Sequence, residues 1–148
     1  MSRDKKFELL APAGSPEKLR YAFAYGADAV YMGIPDFSLR VRINKFGIDD
    51  VKGAIDAAHA EGKKIYVTAN IYAHNEHLQK LPAYLKKLNS WKPDALIISD
   101  PGILLMAQKF APKIPIHLST QANATNWQAV KFWQKQGVER VILGREVT

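Results

Sequence analysis

Three polar side chains at alternate positions of one short segment, His117, Ser119 and Gln121, form the pattern best suited to chemistry. If residues 116–123 form a strand, the three share one face, because successive strand side chains point to opposite sides. Hydrogen-bonding groups are costly to bury unless the face that carries them meets a polar site. An edge strand with one solvated face would show the same pattern. We favour a strand that delivers polar groups into a binding cavity.

A serine beside a histidine suggests a hydrolase, but the spacing disfavours that chemistry. Two residues apart on a strand, the side chains of His117 and Ser119 start about 7 Å apart. The sequence places no third group to orient the imidazole, so hydrogen bonding to a nucleobase or a small acid fits better. His117 remains a candidate catalytic residue, and Ser119, Gln121 and Asn123 are candidate substrate-binding residues.

Charged residues add further candidates. Arg40 and Arg42 are also two residues apart, and guanidinium groups bind carboxylates and phosphates in a bidentate manner. Loop arginines that simply face solvent would give the same spacing. Glu146 follows the last predicted strand, where a carboxylate can serve as an acid–base group, and the adjacent Arg145 is a candidate for substrate binding.

Short apolar segments alternate with amphipathic ones along the whole chain. The apolar segments predict six strands, and the others predict five helices beginning near residues 16, 49, 75, 101 and 126. Because the strands are apolar on both faces, they indicate a parallel sheet covered by helices. The predicted strands cover residues 7–11, 29–33, 64–71, 95–99, a segment from 116, and 140–144.

Two architectures fit this alternation, a doubly wound sheet and a (β/α)8 barrel. The first turn contains one glycine and lacks the Gly-x-Gly-x-x-Gly pattern of a dinucleotide-binding sheet. Polar residues instead follow several different strands, as in the mouth of a barrel. We therefore predict one domain over residues 1–148, an incomplete TIM-type barrel. The residues at the strand ends include Asn70, Asp100, Gln121, Asn123, Arg145 and Glu146.

Several other notable residues are expected to be structural. Glu8 lies at the opposite end of its strand and should pair with a lysine or arginine. His74 and His77 have a spacing that can bind a metal, but no third ligand is evident, so a solvated helix start fits better. Trp127 and Trp133 should pack their helix onto the sheet.

Composition restricts the function further. The chain has no cysteine, which excludes thiolate catalysis and cysteine-ligated metals within these 148 residues. It has no apolar stretch long enough to cross a membrane and no signal-peptide pattern at its start, so we expect a cytoplasmic protein. The net charge of +7 favours a polyanionic partner such as RNA, although a basic solvated surface explains it equally well.

Longer motifs resemble a known family. They are ELLAPAG at 8–14, YAFAYGADAVY at 21–31, FSLRVR at 37–42, PIHLSTQAN at 115–123 and RVILGRE at 140–146. In this order they resemble the collagenase-like (U-thirty-two) peptidase family, and most of all its branch of bacterial tRNA hydroxylation proteins. That branch helps to make 5-hydroxyuridine at the wobble position using prephenate.

The resemblance implies a role for the chain and for its candidate residues. It implies the N-terminal part of a longer protein, whose later segments hold cysteines for an iron–sulfur cluster, with tRNA and prephenate as partners. It places Arg40, Arg42, Asn70 and Asp100 in the pocket beside His117, Ser119, Gln121 and Glu146. Two alternatives stay open. One is a peptidase, as the family name suggests; the other is a non-catalytic fragment that self-associates through its open sheet edges.

Overall fold

Six parallel strands in sequence order form the centre of the protein, whose computed structural model describes residues 7–33, 35–38 and 46–148. Each strand pairs with the next one along the chain, so every connection returns to the neighbouring position. The strands are β1 (Leu10–Pro12), β2 (Ala29–Gly33), β3 (Lys64–Ala69), β4 (Ala95–Ile98), β5 (Ile116–Leu118) and β6 (Arg140–Val141).

Five α-helices connect these strands within the described part of the chain. They are α1 (Pro16–Ala24), α2 (Ile48–Ala60), α3 (Asn75–Trp91), α4 (Pro101–Phe110) and α5 (Trp127–Lys135). Side chains of Ser15, Asp100 and Asn126 cap α1, α4 and α5 by accepting a backbone N–H three residues later. No helix in the described segments has the length and apolar character needed to cross a bilayer.

The sheet is curled, which confirms the predicted incomplete barrel. In a flat sheet of six strands the two edges would lie about 24 Å apart, since neighbouring strands are about 4.8 Å apart. Here Nη1 of Arg140, on edge strand β6, donates a hydrogen bond of 2.7 Å to Oε1 of Glu8, just before edge strand β1. The edges therefore turn toward each other around a common interior.

Apolar side chains form two layers on opposite faces of the sheet. The larger layer lies between the sheet and the helices and includes Val67, Leu85 and Ile98, all fully buried. The smaller layer fills the barrel interior, where Tyr66 and Ile97 belong to one cluster that also contains Leu10, Tyr31, Ile142, Ala29 and Ala95. The interior layer forms the base on which a site at the strand ends is built.

Every strand except β2 is shorter than the sequence predicts: β3 ends at Ala69 and β4 at Ile98, and the other three also differ. β1 starts at Leu10 because Leu9 instead bonds to Asp28, whose Oδ2 accepts the N–H of Leu9 at 2.9 Å. β5 ends at Leu118, and a 3-10 turn over Thr120–Ala122 follows it directly. β6 covers only Arg140–Val141. These differences shorten the ordered strands and lengthen the loops beside them.

Candidate active site at the carboxyl ends of the strands

A cavity of about 440 Å³ opens at the carboxyl ends of the strands. Because all six strands are parallel, the residues that follow them meet at this one end of the barrel. The apolar base of the cavity comes from the interior layer: Leu10, Tyr31, Ile97 and Ile142. The polar lining consists of Lys18, Ser38, Thr68, Asn70, Ser119, Thr120, Gln121 and Arg145.

Asn70, Ser119 and Gln121 meet in one hydrogen-bonded group at the cavity wall. Oε1 of Gln121 accepts from Nδ2 of Asn70 at 2.8 Å and from the hydroxyl of Ser119 at 3.0 Å. Oδ1 of Asn70 is buried and has no hydrogen-bond partner among the residues that the structure describes. Since a buried acceptor without a partner is costly, this oxygen is suited to accept a hydrogen bond from a ligand.

Thr68 and Ser38 form a second polar contact in the wall. The hydroxyl of Thr68 lies 3.3 Å from the carbonyl oxygen of Met32 and 3.3 Å from Oγ of Ser38. Both side chains are buried. The contact ties the segment after β2 to β3 and fixes one side of the cavity.

Two cationic side chains, Lys18 and Arg145, complete the lining. Both residues are exposed, and neither takes part in an ion pair among the described residues. Lys18 lies in the first turn of α1, whose N-cap Ser15 accepts the backbone N–H of Lys18. The cavity thus combines an apolar base with two cationic groups that are available to an anion.

His117 points into the barrel interior, but it lies below the cavity and does not line it. Its ring packs edge-on against Tyr66, with 4.8 Å between ring centroids. Burial, together with the nearby Arg140, lowers the pKa of His117 to about 4, so the imidazole is neutral at pH 7. The prediction of one polar strand face holds for His117 and Ser119. It is wrong for Gln121, which lies in the 3-10 turn Thr120–Ala122, whereas Ser119 directly follows β5 and is still extended.

A charged cluster lies beneath His117, at the amino ends of the strands. The carboxylate of Glu8 accepts hydrogen bonds from Lys64 at 2.9 Å and from Tyr66 and Arg140 at 2.7 Å each. Burial alone would raise the pKa of Glu8, but these hydrogen bonds and the charge of Arg140 outweigh it and lower the pKa to about 2. The prediction that Glu8 is structural and pairs with a lysine or arginine is confirmed.

Other predicted site residues lie elsewhere. Asp100 caps α4, where Oδ1 accepts the N–H of Ile103 at 2.9 Å, and it does not line the cavity. Asn123 ends the 3-10 turn in the left-handed conformation, with φ of 52°. Glu146 is exposed and also lies outside the lining, next to Arg145, which is in it. Arg40 and Arg42 lie outside the described residues.

The predictions for the tryptophans and histidines are confirmed except for Trp127. Trp133 is buried and packs α5 onto the sheet as expected. Trp127 is 62% exposed, with the ammonium group of Lys131 4.6 Å from its ring centroid, so the packing prediction is wrong for it. His74 caps α3, and its backbone N–H donates to Nδ1 of His77 at 3.1 Å, which confirms the helix-start interpretation.

Lys18 is the main lining residue that the sequence reasoning missed. It lies in the first turn of α1, and residues that follow a strand of a parallel barrel face the mouth. The Ser15-Pro16 start of this helix was recognisable. Combined with the predicted barrel, this helix start indicates that the residues of the first turn of α1 lie near the mouth of the cavity.

Thr68 shares a strand face with Tyr66 and Asn70, as the period of two predicts.

Comparisons with known proteins identify the family. The chain is 54% identical over 143 residues to tRNA hydroxylation protein P of Escherichia coli, and 53% identical over 148 residues to the protein of that name from Haemophilus influenzae. The matches cover 97% and 100% of this chain, which spans about a third (32%) of each relative.

A solved structure and a family model agree with these relatives. The structure of the U32 peptidase Mk0906 superposes with a TM-score of 0.72, covering 97% of this chain and 61% of that one. At 12% identity this likeness supports the fold alone. The model of Peptidase family U32 matches residues 14–148. The chain therefore belongs to Peptidase family U32.

Proposed function

We propose that this chain belongs to a protein that hydroxylates tRNA, forming 5-hydroxyuridine at the wobble position. The observation that carries the proposal is the identity of more than half, over almost the whole chain, to two tRNA hydroxylation proteins. Because the chain spans about a third of the length of those relatives, we assign it only part of this activity. It supplies one wall of the barrel and the cavity at the strand ends, and it acts in the cytoplasm.

The cavity suits a small dicarboxylate with an apolar ring, and we assign it to prephenate. The side chains of Lys18 and Arg145 can each pair with a carboxylate. The ring would lie on the apolar base near Tyr31 and Ile142, and a ligand hydroxyl would donate to the unpartnered Oδ1 of Asn70. A cavity of about 440 Å³ falls within the usual range for small-molecule sites.

The cavity also suggests roles for the candidate residues in this reaction. Ser119 and Gln121 hold the amide of Asn70 in place, and Arg145 anchors the acid. His117 is neutral at pH 7 and lies below the cavity. Its contribution would be to hold Tyr66 in place by packing against it. Glu146 is proposed to contact the RNA rather than prephenate. Arg40 and Arg42, which lie outside the described residues, are proposed to bind substrate.

An iron–sulfur cluster does not fit the residues of this chain. Such clusters are held by cysteine thiolates, and the chain contains no cysteine. In the described ranges, no group of three or more histidine, cysteine, aspartate or glutamate side chains is placed to hold a metal ion. Any cluster would therefore be ligated by residues outside these 148.

The peptidase alternative finds little support in the geometry. The hydroxyl of Ser119 donates to Gln121 rather than to His117. A serine nucleophile needs a base within hydrogen-bonding distance, and among the described contacts His117 packs against Tyr66 instead. We therefore rank peptide hydrolysis below RNA hydroxylation.

Self-association through the open sheet edges is a third proposal. β1 and β6 are the edges of the sheet, and exposed apolar residues lie beside both: Phe7 and Leu9 near β1, and Leu143 near β6. Unpaired strand edges favour pairing with another chain. Light scattering of residues 1–148 should show dimers or larger species, and a monodisperse monomer would refute this proposal.

Nucleoside mass spectrometry of tRNA tests the proposed function. A strain lacking the gene is compared with strains rescued by the full-length gene or by residues 1–148 alone. We expect the deletion to lose 5-hydroxyuridine-type nucleosides and only the full-length gene to restore them. Unaltered tRNA in the deletion strain would refute the proposal. Calorimetric titration of the full-length protein with prephenate then tests the cavity separately.

A further inference from the structure

The charge on the outer helices is distributed unevenly. Residues 75–138, all of them described, begin with α3 and include eight lysines and three acidic residues, Glu76, Asp94 and Asp100. Two of these acids, Asp94 and Asp100, already have partners. Asp94 pairs with His59 at 2.9 Å and accepts a backbone N–H from β3, and Asp100 caps α4. This half of the helical layer therefore carries positive charge that its own acids do not neutralise.

Six of the eight lysines lie on α3, on α4 and in the segments that follow them, and we call them the lysine surface. All six are exposed, and none takes part in an ion pair among the described residues. The two helices pack side by side, and the N–H of Lys113 donates to Asn89 of α3 at 3.2 Å. The lysine surface comprises Lys80, Lys86, Lys87, Lys92, Lys109 and Lys113.

The other six described lysines are mixed: two have acidic partners, and Lys18, Lys63, Lys131 and Lys135 form no ion pair among the described residues. Lys52 of α2 pairs with Asp56 one turn later, and Lys64 pairs with Glu8 at 2.9 Å. General solvation of a basic protein would spread unpaired charge evenly. The concentration on α3 and α4 is instead typical of a surface that meets a polyanion.

An aromatic ring lies within the lysine surface. The ammonium groups of Lys86 and Lys109 lie 5.5 and 5.2 Å from the ring centroid of Phe110. The ring attracts both cations, so two unpaired ammonium groups are placed around one aromatic side chain. Basic groups interleaved with aromatic rings are characteristic of surfaces that bind nucleic acids.

We propose that the lysine surface binds the phosphate backbone of RNA. The identification of this RNA as tRNA rests on the proposed function. Most of the surface lies at the C-terminal ends of α3 and α4. Because these helices run antiparallel to the strands, those ends lie opposite the cavity mouth. RNA bound there leaves the cavity open, so the surface positions the RNA without occupying the small-molecule site. Backbone contacts of this kind orient RNA without reading its sequence.

Salt-dependent binding tests the surface. Full-length protein and its Lys86→Gln/Lys109→Gln variant are titrated with unmodified tRNA at several salt concentrations. Each lost phosphate contact should reduce the slope of log affinity against log salt by about 1. The double variant should therefore bind at least about tenfold more weakly at 0.1 M salt. Arg20→Gln/Lys52→Gln removes the same charge from exposed positions on α1 and α2 and should leave slope and affinity unchanged. Equal losses in both variants would overturn the proposal.

Lysine acetylation footprinting identifies what covers the surface. Lys86, Lys87 and Lys109 should react readily in the free protein and become protected when tRNA is added, while Lys52 reacts equally in both states. Protection before tRNA is added would show that another segment of the protein covers the surface, and would overturn the proposal. The proposed function is tested separately from the lysine surface. If deletion of the gene abolishes tRNA hydroxylation but the lysine variants bind tRNA normally, only the lysine surface is refuted.

Discussion

Removing the charge of Glu8 should destabilise the barrel in a pH-dependent way. Glu8→Gln keeps the size of the side chain but removes the charge that Lys64 and Arg140 bind. The pKa of Glu8 falls from 4.5 to about 2, which corresponds to about 3 kcal/mol without screening. Because Lys64 and Arg140 are about half exposed, solvent screening reduces the expected loss to about 1–2 kcal/mol at pH 7.

The sign of the pH dependence follows from the lowered pKa. A carboxylate whose pKa is lower in the folded state stabilises the protein fully above its unfolded pKa, here 4.5. That contribution is lost as the pH falls from 4.5 toward 2. The wild type and Glu8→Gln should thus differ at pH 7 and converge near pH 2.

Urea unfolding, followed by circular dichroism at pH 7 and pH 3, measures this difference. Glu139→Gln is the matched control, since Glu139 is exposed and adjacent to Arg140 in sequence; we expect a change below about 0.5 kcal/mol. A Glu8→Gln loss that is equal at pH 7 and pH 3, or no larger than that of Glu139→Gln, would refute the reasoning.

Three further predictions concern a cap, the core and the cavity. Asp100→Ala removes the cap of α4 and should cost about 1 kcal/mol in urea unfolding without changing prephenate binding; weaker binding would restore Asp100 to the site. Leu85→Ala empties a fully buried position and should cost about 3 kcal/mol in the same assay, whereas a loss below 1 kcal/mol would contradict the described core. Arg145→Gln should weaken prephenate binding at least about fivefold by calorimetry, and Glu146→Gln, outside the lining, should not. Equal effects of the last two would remove Arg145 from the proposed site.

The fold could be predicted from the sequence because its signals are local. Ser15-Pro16 and Asp100-Pro101 start helices through capping contacts within three residues. The alternation of strands and helices is likewise a property of adjacent segments, and it fixes a parallel sheet. The polar residues after several strands then distinguished a barrel from an open doubly wound sheet.

The site could be predicted only in part, because it depends on contacts between distant segments. Asn70 and Gln121 are 51 residues apart in sequence, and only the curled sheet brings them to 2.8 Å. Asp100 shows the opposite problem, since a carboxylate after a strand can belong either to a site or to a helix cap. Here it accepts the backbone N–H of Ile103 and is a cap. Sequence spacing gave His117 the correct face but not its depth below the cavity.

The sequential strand order has a consequence for how the protein is made. Each strand pairs only with the strands directly before and after it in the chain, so every new strand can add to the sheet as the ribosome releases it. Pairing between nearby segments also keeps the entropy of loop closure small at each step. Among the hydrogen bonds of the described residues, the one between Glu8 and Arg140 spans the longest stretch of chain, 132 residues. During synthesis the sheet therefore grows from its first edge, and its two edges meet only after β6 has emerged.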